Sequence, residues 1–212
     1  ALRGGIRQVQ AGAGLAAAAC GRLAAGDSLG AERAWLAARE GGTERRRGEA
    51  SAEAGGLALA RGDSAAARRL LIEGLERGRG AARARAAASL LSFRDTDEAL
   101  TLRMAVALDE VNARGPALRA YDRAERLARQ GGSALPDSAR LARARLMSTV
   151  TSRHAEAVEE FRAIRASTRD PGVGALNLEL WARLRQRQGR TGDVRTLREW
   201  LLEEHPASPQ AA

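Results

Sequence analysis

Small and large apolar residues recur along this chain at the spacing that forms one face of a helix. Five segments carry a triplet at positions i, i+4 and i+7, and in four of them the middle residue is large and apolar. The triplets are Ala31, Trp35 and Ala38; Ala67, Leu71 and Gly74; Ala117, Tyr121 and Ala124; Ala157, Phe161 and Ile164; and Val194, Arg198 and Leu201. Residues at this spacing lie on one side of an α-helix, so each triplet predicts a helix packed against a neighbour.

The first two of these helices follow the same short motif, Gly-Asp-Ser, which begins at Gly26 and at Gly62. Glycine commonly ends a helix because it adopts the left-handed conformation of the C-cap, and aspartate or serine caps the free N–H groups of the next helix. The first members of the triplets are separated by 36, 50, 40 and 37 residues. The sequence therefore predicts a repeated pair of helices joined by a tight turn.

Glycine and proline divide the rest of the chain into further helical segments, with loops at 41–42, 78–80, 131–136 and 170–174. Alanine, leucine, arginine and glutamate favour helix, and aromatic residues make up only 3% of the chain, which argues against a β-sandwich. The predicted helices span residues 6–24, 28–40, 44–61, 64–77, 81–93, 96–113, 116–130, 137–149, 153–167, 173–188 and 191–204. Trp35, Tyr121 and Phe161 are expected in the core, and Trp181 is expected to be partly exposed.

The triplets resemble the second helix of the tetratricopeptide repeat (TPR), which carries alanine, a large aromatic residue and alanine at this spacing. The resemblance covers roughly residues 8–206, although the repeats are divergent, because the first helices lack the tryptophan and tyrosine that are usual in the family. It implies an all-α fold, a right-handed α-solenoid of antiparallel helix pairs with about 11 helices. We expect one domain over residues 1–206, with five helix pairs and an extra helix near 81–93, followed by a tail or linker at 207–212.

The basic residues of the chain are all arginine, 35 in number, and the formal net charge is +9. The codon usage of a GC-rich bacterial genome explains this bias, and so does an anionic partner, because guanidinium groups match carboxylates and phosphates. The arginines are interspersed with 26 acidic residues, whereas a nucleic-acid surface is typically an extended basic face with stacking aromatic rings. The sequence therefore favours a protein or peptide partner over nucleic acid.

No group of residues predicts catalysis or cofactor binding. His154 and His205 are 51 residues apart, so neither has the neighbouring ligands that a metal site requires. The chain has no lysine, which a Gly-x-x-x-x-Gly-Lys phosphate loop needs. We expect no enzyme activity, no cofactor and no metal ion.

Cys20 is the single cysteine, so the chain forms no internal disulfide. Residues 15–20 faintly resemble a lipoprotein cleavage box, but the helical pattern continues through Arg22, which disfavours lipid anchoring. We expect Cys20 to be a small buried thiol in a helix. The sequence has no apolar run of about 18 residues that would cross a membrane, and both the cytoplasm and the periplasm of a bacterium remain open.

In TPR proteins the first helices of the pairs line the concave side, so the resemblance implies a set of inward-facing side chains. They are polar and of both charges, as expected for a groove that holds a peptide or a partner helix through charge-assisted hydrogen bonds. The implied residues are Arg103, Asp109, Glu110, Arg143, Glu179, Arg183 and Gln186.

The resulting hypothesis is a non-catalytic protein-interaction scaffold, free or as a component of a larger assembly. One alternative is the helical module of a larger bacterial envelope enzyme or assembly factor, because the ending Leu201 to Pro209 resembles helix ends in soluble lytic transglycosylases. Another alternative is the sensor segment of a bacterial transcription regulator, in which such repeats gate activity. The sequence leaves these alternatives open.

Overall fold

A computed structural model describes the backbone of residues 2–211 and the side-chain surroundings of residues 13–211. In the described part, the chain forms eleven α-helices and no β-strand. The helices are α1 (Leu2–Ala24), α2 (Ser28–Gly41), α3 (Glu44–Ala60), α4 (Ser64–Arg77), α5 (Gly80–Leu90), α6 (Glu98–Glu110), α7 (Arg114–Gln130), α8 (Asp137–Met147), α9 (His154–Ser167), α10 (Pro171–Arg187) and α11 (Thr191–Glu204). The eleven predicted helices are confirmed, and their bounds differ from the prediction by at most four residues.

The two Gly-Asp-Ser motifs form the turns that the sequence predicted. Gly26 and Gly62 have φ angles of 81° and 86°, in the left-handed region that glycine tolerates. Asp27 then accepts a hydrogen bond from the backbone N–H of Gly30 at 2.8 Å, and Asp63 accepts one from Ala66 at 3.0 Å. Each motif therefore ends one helix and caps the next.

The predicted loop at 170–174 is shorter than expected, because α10 already begins at Pro171. Proline is suited to the first turn of a helix, because the N–H groups of that turn have no hydrogen-bond acceptor within the helix. The Asp170 carboxylate caps this helix by accepting hydrogen bonds from Gly172 at 2.8 Å and from Val173 at 3.2 Å.

The chain forms two compact units, which divide within α7 between Arg123 and Ala124. In the first unit each helix from α1 to α6 packs against the next, and α3 also contacts α5. In the second unit α8, α9, α10 and α11 pack in succession, and α8 also contacts α10. Both units are thus TPR-like arrays of helix pairs, in which the first helices of neighbouring pairs touch.

Helix α5 lies where the 50-residue step left room for a further helix, and its role as an extra helix between two pairs stays a prediction. It packs against α4 and α6, and it contacts α3 as α10 contacts α8. Helix α5 therefore continues the array of the first unit. The assignment of residues 1–206 to one domain of five pairs stays a prediction.

Helices α3 and α4 of the first unit pack closely against each other. A Cβ atom added at Gly74 would lie 2.9 Å from the backbone nitrogen of Ala52, and one added at Gly55 would lie 2.8 Å from Cγ of Leu71. Small residues let the two helix backbones approach to this degree, and dispersion contacts then stabilise the pair.

Ala67 lies in this interface and is fully buried. We expect Ala67→Leu to lower the free energy of unfolding by about 1–3 kcal/mol, because the added atoms would overpack the contact. Ala65→Leu, on the exposed side of the same helix, should change it little. Urea unfolding followed by circular dichroism measures both variants, and equal stabilities would show that the triplet frame is misplaced.

Candidate partner-binding site

The three site residues predicted on α6 do not gather at one place. Arg103 lies 3.1 Å from a carboxylate oxygen of Glu76 on α4, and Arg83 on α5 donates to the Glu110 carboxylate at 2.8 Å. Asp109 is half-buried and also interacts with neighbouring groups. Arg103 and Glu110 therefore connect α6 to the two preceding helices.

Arg143, the site residue predicted on α8, belongs to an ion cluster that ties α8 to α9. Its guanidinium lies 3.3 Å from the Glu160 carboxylate, which also accepts a hydrogen bond from Arg140 at 2.7 Å. The side chains of Arg143 and Glu160 are only 13% and 14% exposed. Reversing the charge of Arg143 would bring two carboxylates together at this interface, so such a variant would report on stability as well as on binding.

The three site residues predicted on α10, in contrast, converge on one cavity. Glu179, Arg183 and Gln186 line a space of about 510 Å³ between α10 and α11, which we name the end groove. Arg183 makes an ion pair with Glu179 one turn earlier, and its side chain is 65% exposed. The end groove is therefore where the predicted polar residues of both charges are accessible together.

The floor of the end groove is apolar. Leu178 of α10 and Leu197 and Leu201 of α11 line it and are almost fully buried. Leu202 lies at the rim and is 55% exposed. The groove thus offers apolar surface between charged walls.

A second cavity of about 420 Å³ continues the end groove along α11. It shares Gln186, Arg198 and Leu202 with the first cavity and adds Val194 and Arg195. Together the two cavities follow one face of α11 from Thr191 to Leu202.

Arg198 was not among the predicted site residues, although the triplet pattern marked its position. Arg198 is the one charged residue at the middle position of the five triplets. Its side chain is exposed, and it makes no ion pair or hydrogen bond within the part of the chain that the structure describes. A charged residue at a triplet position that is apolar in the other four helices therefore marked the accessible face of α11.

The segment after α11 was predicted to be a tail or linker, and residues 206–211 fold back onto the helices. The turn is held by backbone hydrogen bonds from Ser208 to His205 at 3.0 Å and from Ala211 to Ser208 at 3.1 Å. Gln210 and Ala211 line the end groove. Ala212 lies outside the described residues.

A pair of tryptophans stabilises the opposite side of the same helices. The rings of Trp181 and Trp200 lie 6.3 Å apart, and the Arg165 guanidinium stacks 3.6 Å above the Trp200 ring while it pairs with Glu204 at 2.5 Å. Trp181 is 6% exposed, so the prediction that it is partly exposed was wrong. Cation–π contacts of this kind join α9, α10 and α11 into one packed group.

Arg185 fixes the turn between α10 and α11. Its guanidinium lies 3.2 Å from Asp193, which also pairs with Arg190 at 3.0 Å. Burial lowers the pKa of Arg185 from its ordinary value, as does repulsion by Arg190, while Asp193 raises it. This cluster holds the start of α11, which carries the end groove.

Two further expectations concern metal binding and Cys20. Among residues 13–211 the structure places no group of three or more histidine, cysteine, aspartate or glutamate side chains to hold a metal ion. Cys20 is exposed, so the expectation of a buried thiol was wrong; the adjacent Ala19 faces the core instead. None of the helices in the described range has the length and hydropathy needed to cross a membrane.

The helix pairs give the described part of the chain a TPR-like, all-α fold. No family model and no curated protein matches the chain. Among solved structures it is similar to YrrB, described as a TPR protein with an unusual peptide-binding site. The similarity covers 91% of this chain and 86% of YrrB, with 14% sequence identity and a TM-score of 0.48.

Proposed function

We propose that this protein is a non-catalytic interaction scaffold, and that its end groove holds a segment of a partner protein. The observation that carries the proposal is the convergence of Glu179, Arg183 and Gln186 over the apolar floor of one cavity. Ligand sites in proteins commonly combine such an apolar surface with a few polar groups that fix orientation.

The polar groups of the groove match the groups of a polypeptide. Arg183 donates to a carboxylate or to a backbone carbonyl, and Glu179 accepts from a cation or an N–H group. Gln186 both donates and accepts. The leucines of the floor would receive apolar side chains of the bound segment, and burial of each such side chain contributes about 1.5–3 kcal/mol.

The distribution of charge supports a protein partner over a nucleic acid. In the first unit many arginines already pair with glutamates of neighbouring helices, at 2.7 Å for Arg39 and Glu73 and at 3.0 Å for Arg61 and Glu32. A surface that binds the phosphate backbone needs an array of cations free to replace counterions. The paired arginines instead connect the helices to one another.

Selection of random peptides of about 12 residues, displayed on phage, against the intact protein tests the proposal. We expect Arg183→Glu to weaken the binding of a selected synthetic peptide at least about tenfold. The substitution removes a charge-assisted hydrogen-bond donor and adds a negative charge that repels carboxylates of the peptide. Fluorescence anisotropy with the labelled peptide measures the affinity.

Arg129→Glu is the matched control. Arg129 also pairs with a glutamate one turn earlier, Glu125, and is similarly exposed at 71%, but it does not line the groove. Its reversal should leave peptide affinity unchanged. If Arg183→Glu and Arg129→Glu bound every selected peptide alike, the groove assignment would be wrong.

A further inference from the structure

The end groove differs from the other helix-pair faces at one position of the repeat. At the middle position of the triplets, Leu71, Tyr121 and Phe161 are at most 2% exposed, and Trp35 is half-buried. The fifth triplet has Arg198 there, and its side chain is exposed. The last pair therefore has a cation at a position where the earlier pairs have an aromatic or aliphatic residue.

The charges around the groove have an excess of cations. Arg183, Arg195 and Arg198 line the two joined cavities together with Glu179 and Glu199. Glu179 is already paired with Arg183, whereas neither Arg195 nor Arg198 has an ion-pair partner among residues 13–211. An occupant that brings a carboxylate to Arg198 would complement this charge.

The shape of the groove matches a helix. It follows α11 from Thr191 to Leu202, and a helical stretch of that length is about 16 Å, or three turns. The preceding pair of this unit, α8 and α9, receives a helix on its own face, because α10 packs against both. Among residues 13–211, the residues from outside α10 and α11 that line the end groove are Gln210 and Ala211.

The walls of the groove also favour a helix over an extended chain. Both walls are helices, whose backbone groups are already hydrogen-bonded to each other. An extended segment would have to satisfy its own N–H and C=O groups in another way, with only a few side chains in reach. A helix brings its backbone bonds with it and needs only side-chain contacts.

We infer that the end groove binds an acidic amphipathic α-helix of a partner protein. This inference rests on the proposed function and specifies the partner. The apolar stripe of the bound helix packs on Leu197, Leu201 and Leu202, and a carboxylate beside the stripe pairs with Arg198. A second copy of this chain is disfavoured as occupant, because an isologous contact would bring together two faces with the same excess of arginines.

The test uses three labelled synthetic peptides of about 15 residues, long enough to cover the groove with a turn to spare. The first is side-chain-stapled into a helix and carries leucines at i, i+3, i+4 and i+7 with glutamates beside them. The second has the same residues rearranged without a staple, with leucine at every second position. The third is the stapled helix with lysine in place of glutamate.

We expect the acidic helix to bind the intact protein at least about tenfold more tightly than either of the other peptides. The substitution Arg198→Glu should weaken the binding of the acidic helix by a similar factor. Arg126→Glu should leave it unchanged, because Arg126 is also exposed and unpaired among the described residues but does not line the groove. Circular dichroism of each variant checks that the fold is intact.

Equal binding of the rearranged or the lysine peptide would overturn the inference, as would full affinity in Arg198→Glu. A dimer in sedimentation experiments that dissociates on Arg198→Glu would identify a second copy as the occupant and would also overturn it. If phage-selected peptides bind in an Arg183-dependent way while the acidic helix does not bind, the proposed function stands and only this inference fails. If neither class of peptide binds, both fail.

Discussion

Replacing Gly48 by alanine is expected to destabilise the first unit by about 3 kcal/mol or more, because overpacking against backbone has no easy relief. A Cβ atom at Gly48 would lie 2.2 Å from the backbone nitrogen of Gly78 and 2.4 Å from the carbonyl carbon of Arg77. These atoms belong to the end of α4 and to the turn that follows it, so no rotation of a side chain removes the clash. Helix α3 or the turn before α5 must move instead.

Gly56 provides the control within the same helix. A Cβ atom there meets nothing within 4 Å, so Gly56→Ala should increase stability by up to about 1 kcal/mol through its higher helix propensity. Urea unfolding followed by circular dichroism compares the two variants. Similar midpoints for Gly48→Ala and Gly56→Ala would contradict the close approach of α3 to the turn after α4.

Asn177→Asp is expected to destabilise the second unit by about 3–5 kcal/mol at neutral pH, as an unpaired buried charge typically does. Asn177 lies in α10 and is fully buried. Its Nδ2 group donates a hydrogen bond to the backbone carbonyl of Phe161 at 3.0 Å, while Oδ1 has no hydrogen-bond partner among the described residues. An ionised aspartate would replace the donor by a negative charge facing a carbonyl oxygen.

The loss should depend on pH in a defined direction. Burial raises the pKa of a carboxyl in the folded state above its unfolded value of about 3.9. Below that value both states are protonated, and the neutral carboxyl can donate to Phe161. The loss of unfolding free energy relative to the native protein therefore grows as the pH rises above about 4. It stops growing once the carboxyl is also ionised in the folded state.

Asn177→Leu is the control for this experiment. It removes the hydrogen bond to Phe161 without adding a titratable group. Its free energy of unfolding should therefore be lower than that of the native protein by an amount that does not depend on pH. Unfolding free energies from urea titrations at several pH values compare the variants. A deficit for Asn177→Asp that stays constant with pH would show that residue 177 is accessible to water.

The helices and their turns could be predicted because both depend on local sequence. The spacing of Ala157, Phe161 and Ile164 indicated one buried face, and all three are fully buried. The Gly-Asp-Ser motif at Gly62 likewise predicted the turn, because its three adjacent residues include both the glycine that ends one helix and the aspartate that caps the next. Periodicity and capping are properties of a single helix, and they need no knowledge of its neighbour.

The candidate site was less predictable because it depends on contacts between helices. Arg143 and Arg183 have similar positions on their helices in the repeat frame, yet one is clamped with Glu160 and the other is exposed at a groove. The sequence pattern does not show which residue of the next helix each one meets. The contributions of Gln210 and Ala211 were missed for the same reason, since the chain must fold back to reach α10.

More than half of the buried apolar residues in the described part of the chain are alanines. The heat capacity change of unfolding arises mainly from newly exposed apolar surface, and each alanine exposes little. This protein should therefore have a smaller heat capacity change per residue than the usual value of about 12–15 cal/mol/K. Its stability would then vary less steeply on both sides of the temperature of maximum stability.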